Sequence, residues 1–250
     1  MNVNKKIARG DQSVRRVDRE PGPQWAASAG WAYVGAVAVL AGYVVVAVTI
    51  GAGFERDLVA AAEREGVAVN ALASSTQAEI TQDHPVYALL TGLLLFVSPA
   101  LLALAARQIR IGAPGRLARL SWWSALATLA VWWTYVALGL GLFADPENLP
   151  PLVRDFDVLT VPLVSALSLL ALGSMVFAAE AVRGHGVVRR AARATTVISI
   201  LLGVVSLVAL IATGFEDPVA PIVIVPGGLI LGVALLRAQR PTHTGQMNGA

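Results

Sequence analysis

The chain contains no cysteine. Disulfides, thiolate metal centres, iron–sulfur clusters and a cysteine nucleophile are excluded. Histidine is almost absent too. His84, His185 and His243 make up the whole set, and none lies in a long apolar stretch, where a haem or metal held inside a helical bundle would need them. Asp83-His84 offers two surface ligand types but too few groups for a metal site. Charge is scarce as well. Charged residues make up 14% of the 250 residues and hydrophobic ones 56%, whereas a water-soluble domain carries roughly 25% charged residues. Mean hydropathy is +0.67. So little polar surface cannot clothe a soluble fold, and lipid must be part of the solvent.

Catalytic signatures are missing. The sequence holds no GxSxG elbow, no HExxH, no P-loop lysine motif and no dinucleotide fingerprint. Gly173-Ser174 sits in an apolar stretch with no His or Lys to activate it. The sequence therefore leans away from an enzyme, and no cofactor is expected. The net charge of +3 comes from short dispersed basic clusters, so the pI of 9.7 does not indicate nucleic-acid binding.

What is present is a series of long intervals without Asp, Glu, Lys or Arg. A bilayer core of about 30 Å needs about 20 apolar residues per helix. Six intervals qualify, with spans expected at about 31–53, 85–106, 119–143, 158–180, 194–214 and 218–237. Barrel strands of about 10 alternating residues are not seen. The expected fold is thus all-α: a polytopic membrane protein of six transmembrane helices in three consecutive hairpins. Residues 25–238 form the membrane domain, with an extracytoplasmic loop at 55–84. Residues 1–24 and 239–250 are expected to be disordered cytoplasmic segments. The first apolar run follows a polar stretch and is too long for a cleaved signal, so it reads as a retained anchor.

Loop charge sets the orientation. Lys5, Lys6, Arg9, Arg15, Arg16 and Arg19 precede the first span. Arg107, Arg110, Arg116 and Arg119 follow the second, Arg183, Arg189, Arg190 and Arg193 the fourth, and Arg237 and Arg240 the sixth. The remaining loops hold only Arg56, Arg64 and Arg154, among many acids. Both termini are therefore expected inside. Trp25, Trp31, Tyr33, Trp122 and Trp123 sit where spans one and three leave the basic side, as interface anchors do. The Ala-, Val- and Arg-rich composition, with lysine confined to Lys5 and Lys6, looks like a bacterial protein of a high-GC genome. The expected location is the bacterial cytoplasmic membrane.

The corners on the acidic side look alike: Gly53-Phe54-Glu55-Arg56-Asp57, Leu142-Phe143-Ala144-Asp145-Pro146 and Gly214-Phe215-Glu216-Asp217-Pro218. They suggest an internal repeat of three hairpins. If these corners converge, Glu55, Asp57, Asp145, Glu216 and Asp217 could hold a hard cation; otherwise they are polar loop residues. Within the loop at 55–84, helical spacing on either side of Gly66 suggests two short surface helices.

Ionisable residues inside spans usually mark transport or catalysis. Here only Glu180, at a span end, comes close. Trp132, Trp133 and Tyr135 lie near the middle of the third span, where rings either fill space or stack on a quinone, a lipid group or another ligand. Pro99 and Pro226 each deprive a carbonyl of its helical partner, and Pro226 with Gly227 and Gly228 is the best hinge candidate. Small residues (Ala38 and Gly42, Gly228 and Gly232, Ser199, Gly203 and Ser206, Ser165, Ser168 and Ser174) suggest close helix contacts. The leading expectation is an accessory or structural protein acting through another membrane protein or as a homo-oligomer. The alternative is a transporter or channel for a neutral or lipidic solute. A lipid-head-group enzyme using the cytoplasmic arginines ranks last.

Overall fold

The computed structural model describes residues 24–143, 150–154, 156–185, 188–215 and 218–238. Among them there are helices and turns but no strands. In chain order the α-helices are α1 (Gln24–Thr49), α2 (Ala52–Glu65), α3 (Ser74–Asp83), α4 (Pro85–Gly112), α5 (Arg116–Gly141), α6 (Pro151–Arg154), α7 (Phe156–Gly184), α8 (Arg189–Ala212) and α9 (Val225–Arg237). Short 3-10 turns lie at Val69–Ala71 and Pro221–Ile224. Five helices, α1, α4, α5, α7 and α8, are long and apolar enough to cross a membrane. By length and composition, this set of helices is compatible with a multi-pass membrane protein.

The sixth expected span is not one helix. Val225–Arg237 has 13 residues, which at 1.5 Å per residue rise about 20 Å, short of a bilayer core. It is preceded by the 3-10 turn at Pro221–Ile224 and by non-helical backbone at Pro218–Ala220. Proline explains the break. Pro226 stands in the first turn of α9, where its missing N–H is not needed, and it cannot extend a helix begun earlier. It therefore starts a helix rather than kinking one. Two serines of α7 hold the irregular backbone. Ser165 Oγ accepts from the Val219 N–H at 3.1 Å, and Ser168 Oγ donates to the Val219 carbonyl at 2.6 Å. Both backbone groups of a buried residue are satisfied, the condition for irregular chain at membrane depth.

α1 packs on α4 and α9, α4 on α5, α5 on α7, α7 on α8, and α8 on α9. The helices close a ring, and α7, the most buried of the five long helices, also touches α4 and α9. The α1–α9 closure rests on Gly30 and Gly232. A Cβ on Gly30 would lie 2.9 Å from the Gly232 carbonyl oxygen, and one on Gly232 would lie 3.0 Å from Tyr33 Cβ. Gly227 leaves room for Met175 and Ser199 in the same way. The contact glycines are therefore internal, while Ala38 is exposed. Tyr33, expected at the interface, is buried at 1% exposure between α1 and α9. Trp31 and Trp123 do face outward.

At one end of the ring, α2, the 3-10 turn and α3 fold across the helix ends. Gly51 makes the bend out of α1, because a Cβ there would collide with the Ala47 carbonyl oxygen and the Tyr87 ring. Gly66 ends α2 in the left-handed conformation, at φ 68°. Leu72, Ala61, Ala62 and Ile80 form a small core between α2 and α3. His84 Nε2 lies 2.7 Å from Asp57 Oδ2 and ties α2 to the α3–α4 junction.

The similar corners do not share a conformation. Gly53–Asp57 is regular helix within α2, whereas Gly214 and Phe215 both have positive φ at the end of α8. Ala144, Asp145 and Pro146 of the second corner and Glu216 and Asp217 of the third lie outside the described residues.

Candidate functional site

The sequence-predicted aromatics of α5 separate. Neighbouring residues on a helix point about 100° apart, so Trp132 and Trp133 face different ways. Trp132 is buried at 1% exposure, and its indole N–H has no partner among the described residues. Trp133 is half-exposed; it stacks on Phe96 and donates its indole N–H to the Phe96 carbonyl at 3.0 Å. That carbonyl lies beside the one whose helical N–H is missing, because Pro99 offers none to the Leu95 carbonyl. Trp133 thus ties α5 to α4 next to the proline.

Tyr135 does something else. One turn beyond Trp132 on the same side of α5, it lines a cavity of about 270 Å³ beneath α2 and α3. Tyr43 of α1, Phe54 of α2, Thr81 of α3, Tyr87, Thr91 and Gly92 of α4, Val136 and Gly139 of α5, and Phe143 and Phe156 complete most of the wall. Each aromatic is held by neighbours. Phe54 packs edge-on to His84 and against Tyr87, with centroids 5.7 and 4.9 Å away. Tyr135 stacks on Phe156 at 5.5 Å. The space exists partly because two wall residues have no side chain. A Cβ on Gly92 would meet nothing within 4 Å, and one on Gly139 would meet only Phe156, at 3.9 Å.

Among the described residues the wall carries no Asp, Glu, Lys or Arg. Of its two threonines, Thr91 is turned onto its own helix and donates to the Tyr87 carbonyl at 2.8 Å, whereas the Thr81 hydroxyl has no hydrogen-bond partner among the described residues. The hydroxyls of Tyr43, Tyr87 and Tyr135 likewise have none among the described residues, and all three side chains face the one cavity. Among the described residues, the result is an apolar aromatic chamber without charge, in which the hydroxyls of three tyrosines and of Thr81 are uncommitted. Such a chamber can hold an uncharged molecule and hydrogen-bond to it.

Other predicted residues do not join this chamber. Pro99, Gly227 and Gly228 are buried in helix packing, and Pro226 starts α9. Glu180 accepts from Thr196 Oγ1 at 2.8 Å and pairs with Arg183, a role in tying α7 to α8. Of the acidic cluster, Asp145, Glu216 and Asp217 lie outside the described residues. Glu55 stands in the first turn of α2, and Asp57 is engaged by His84. Among the described residues no three His, Asp or Glu side chains gather as metal ligands.

Sequence reasoning missed Tyr43, Phe54, Tyr87 and Phe156, which come from four different helices. The signal available was an aromatic at the same end of each contributing segment, with unobstructed glycines beside two of them. Compared with known protein families, curated proteins and solved structures, the chain matches none.

Proposed function

We propose that this chain is a six-span protein of a bacterial cytoplasmic membrane, with both termini inside, that binds a neutral lipidic solute beneath its outer helices and passes it across or along the bilayer. In this reading α9 and its 3-10 turn complete the sixth crossing, the basic clusters stay cytoplasmic, and α2 and α3 lie on the outer face. One observation carries the functional part: the uncharged aromatic chamber with the facing hydroxyls of Tyr43, Tyr87 and Tyr135.

Proton coupling is disfavoured, because the spans carry no buried ionisable relay. The alternative is an accessory subunit. It is motivated by the absence of charge within the spans, the small-residue helix faces and the lack of a catalytic set.

The test is purification from native membranes in mild detergent, followed by mass spectrometry of both bound small molecules and proteins. A retained uncharged lipid that is lost in Gly139→Leu supports the proposal. A stoichiometric membrane protein with no retained lipid supports the accessory reading and overturns ours.

A further inference from the structure

The chamber is not isolated. A second cavity of about 240 Å³ shares Phe54, Thr81, Tyr135, Leu142 and Phe156 with it, and extends past Val161 toward Pro218. Val161 also lines a third cavity of about 730 Å³, between the ends of α7 and α8 and under the 3-10 turn at Val69–Ala71. Ala68 and Ala71 roof this third space, and Val69 lines the second. The three spaces thus follow one another beneath α2 and α3, from the α4–α5 side to the α7–α8 side.

Polarity changes along this path. The three unpartnered tyrosine hydroxyls lie at the α4–α5 end. In the middle, Gln77 is committed to the Leu72 carbonyl at 2.8 Å. At the far end, the one polar side chain among the described residues is Ser165, already engaged by the Val219 N–H. The rest of that wall is Ala, Val, Pro, Leu and Phe. Val158 and Phe215 there are exposed to the surroundings of the bundle.

We infer that the path holds one molecule with an uncharged oxygen-bearing head and a single long hydrocarbon tail. The head, a hydroxyl or carbonyl, sits among Tyr43, Tyr87 and Tyr135. The tail runs past Phe156 and Val161 into the space between α7 and α8. Charged head groups are rejected, because nothing in the chamber wall would compensate their desolvation. This inference rests on the functional reading above and adds the shape of the ligand and its direction.

The full chain in mild detergent can be tested with octanol, dodecanol and octadecanol as probes, scored by native mass spectrometry. Retention is expected to rise with tail length. Ala166→Trp, placed in the α7–α8 space, removes that gain, so that octadecanol falls to the level of octanol. Tyr135→Phe lowers retention of all three probes by about fivefold, the worth of one neutral hydrogen bond. Retention of the alcohols without dependence on length overturns the continuous path and leaves a ligand confined to the front chamber. A gain with length that persists in Ala166→Trp also overturns the path. Retention of none of them by the wild-type chain overturns the parent proposal along with this one.

Discussion

Trp133 lies flat on Phe96, with ring centroids 4.6 Å apart and planes within 6° of parallel, and its indole N–H reaches the Phe96 carbonyl at 3.0 Å. The carbonyl that Pro99 leaves without its helical N–H is that of Leu95, one residue earlier. The indole therefore ties α5 to α4 at the carbonyl beside that gap.

Trp133→Phe keeps the stacking and loses the hydrogen bond. Its expected cost is about 1 kcal/mol of stability, read as a lower unfolding midpoint in detergent. An unchanged midpoint would mean that the indole's bond to α4 contributes nothing to stability.

Glycines of two kinds should respond oppositely. Gly30→Val and Gly232→Val place a side chain against backbone of the partner helix, with an expected loss of about 1–3 kcal/mol. Gly92→Leu and Gly139→Leu grow into open space. They should keep or raise the unfolding midpoint while emptying the chamber of any retained lipid.

Ser165 alone satisfies the Val219 N–H among the described residues. Ser165→Ala leaves a buried donor without a partner and is expected to cost about 1–3 kcal/mol. Hydrogen exchange at residues 219–225 should rise with it. Ser165→Thr, which retains the hydroxyl, should recover most of the loss.

The absence of cysteine makes orientation directly measurable. Val67→Cys lies in the exposed turn after α2, and Gly115→Cys at the opposite end before α5, with nothing within 4 Å of its Cβ. A membrane-impermeant maleimide should label Val67→Cys in intact cells. It should label Gly115→Cys only after the membrane is opened. The reverse pattern would invert the topology.

The sequence by itself determined that helices long and apolar enough for lipid dominate the chain, because charge-free length is a one-dimensional property. It could not tell that Trp132 turns inward while Trp133 braces α4, because facing depends on which neighbour each side of the helix meets. Nor could it tell that residues 218–237 divide into extended backbone, a 3-10 turn and α9. That division depends on Ser165 and Ser168, far away along the chain, satisfying Val219. Ring closure through Gly30 and Gly232, and the gathering of Tyr43, Tyr87 and Tyr135 around one space, are likewise tertiary. They join residues of separate helices, and no spacing within a single segment records which helices will be neighbours.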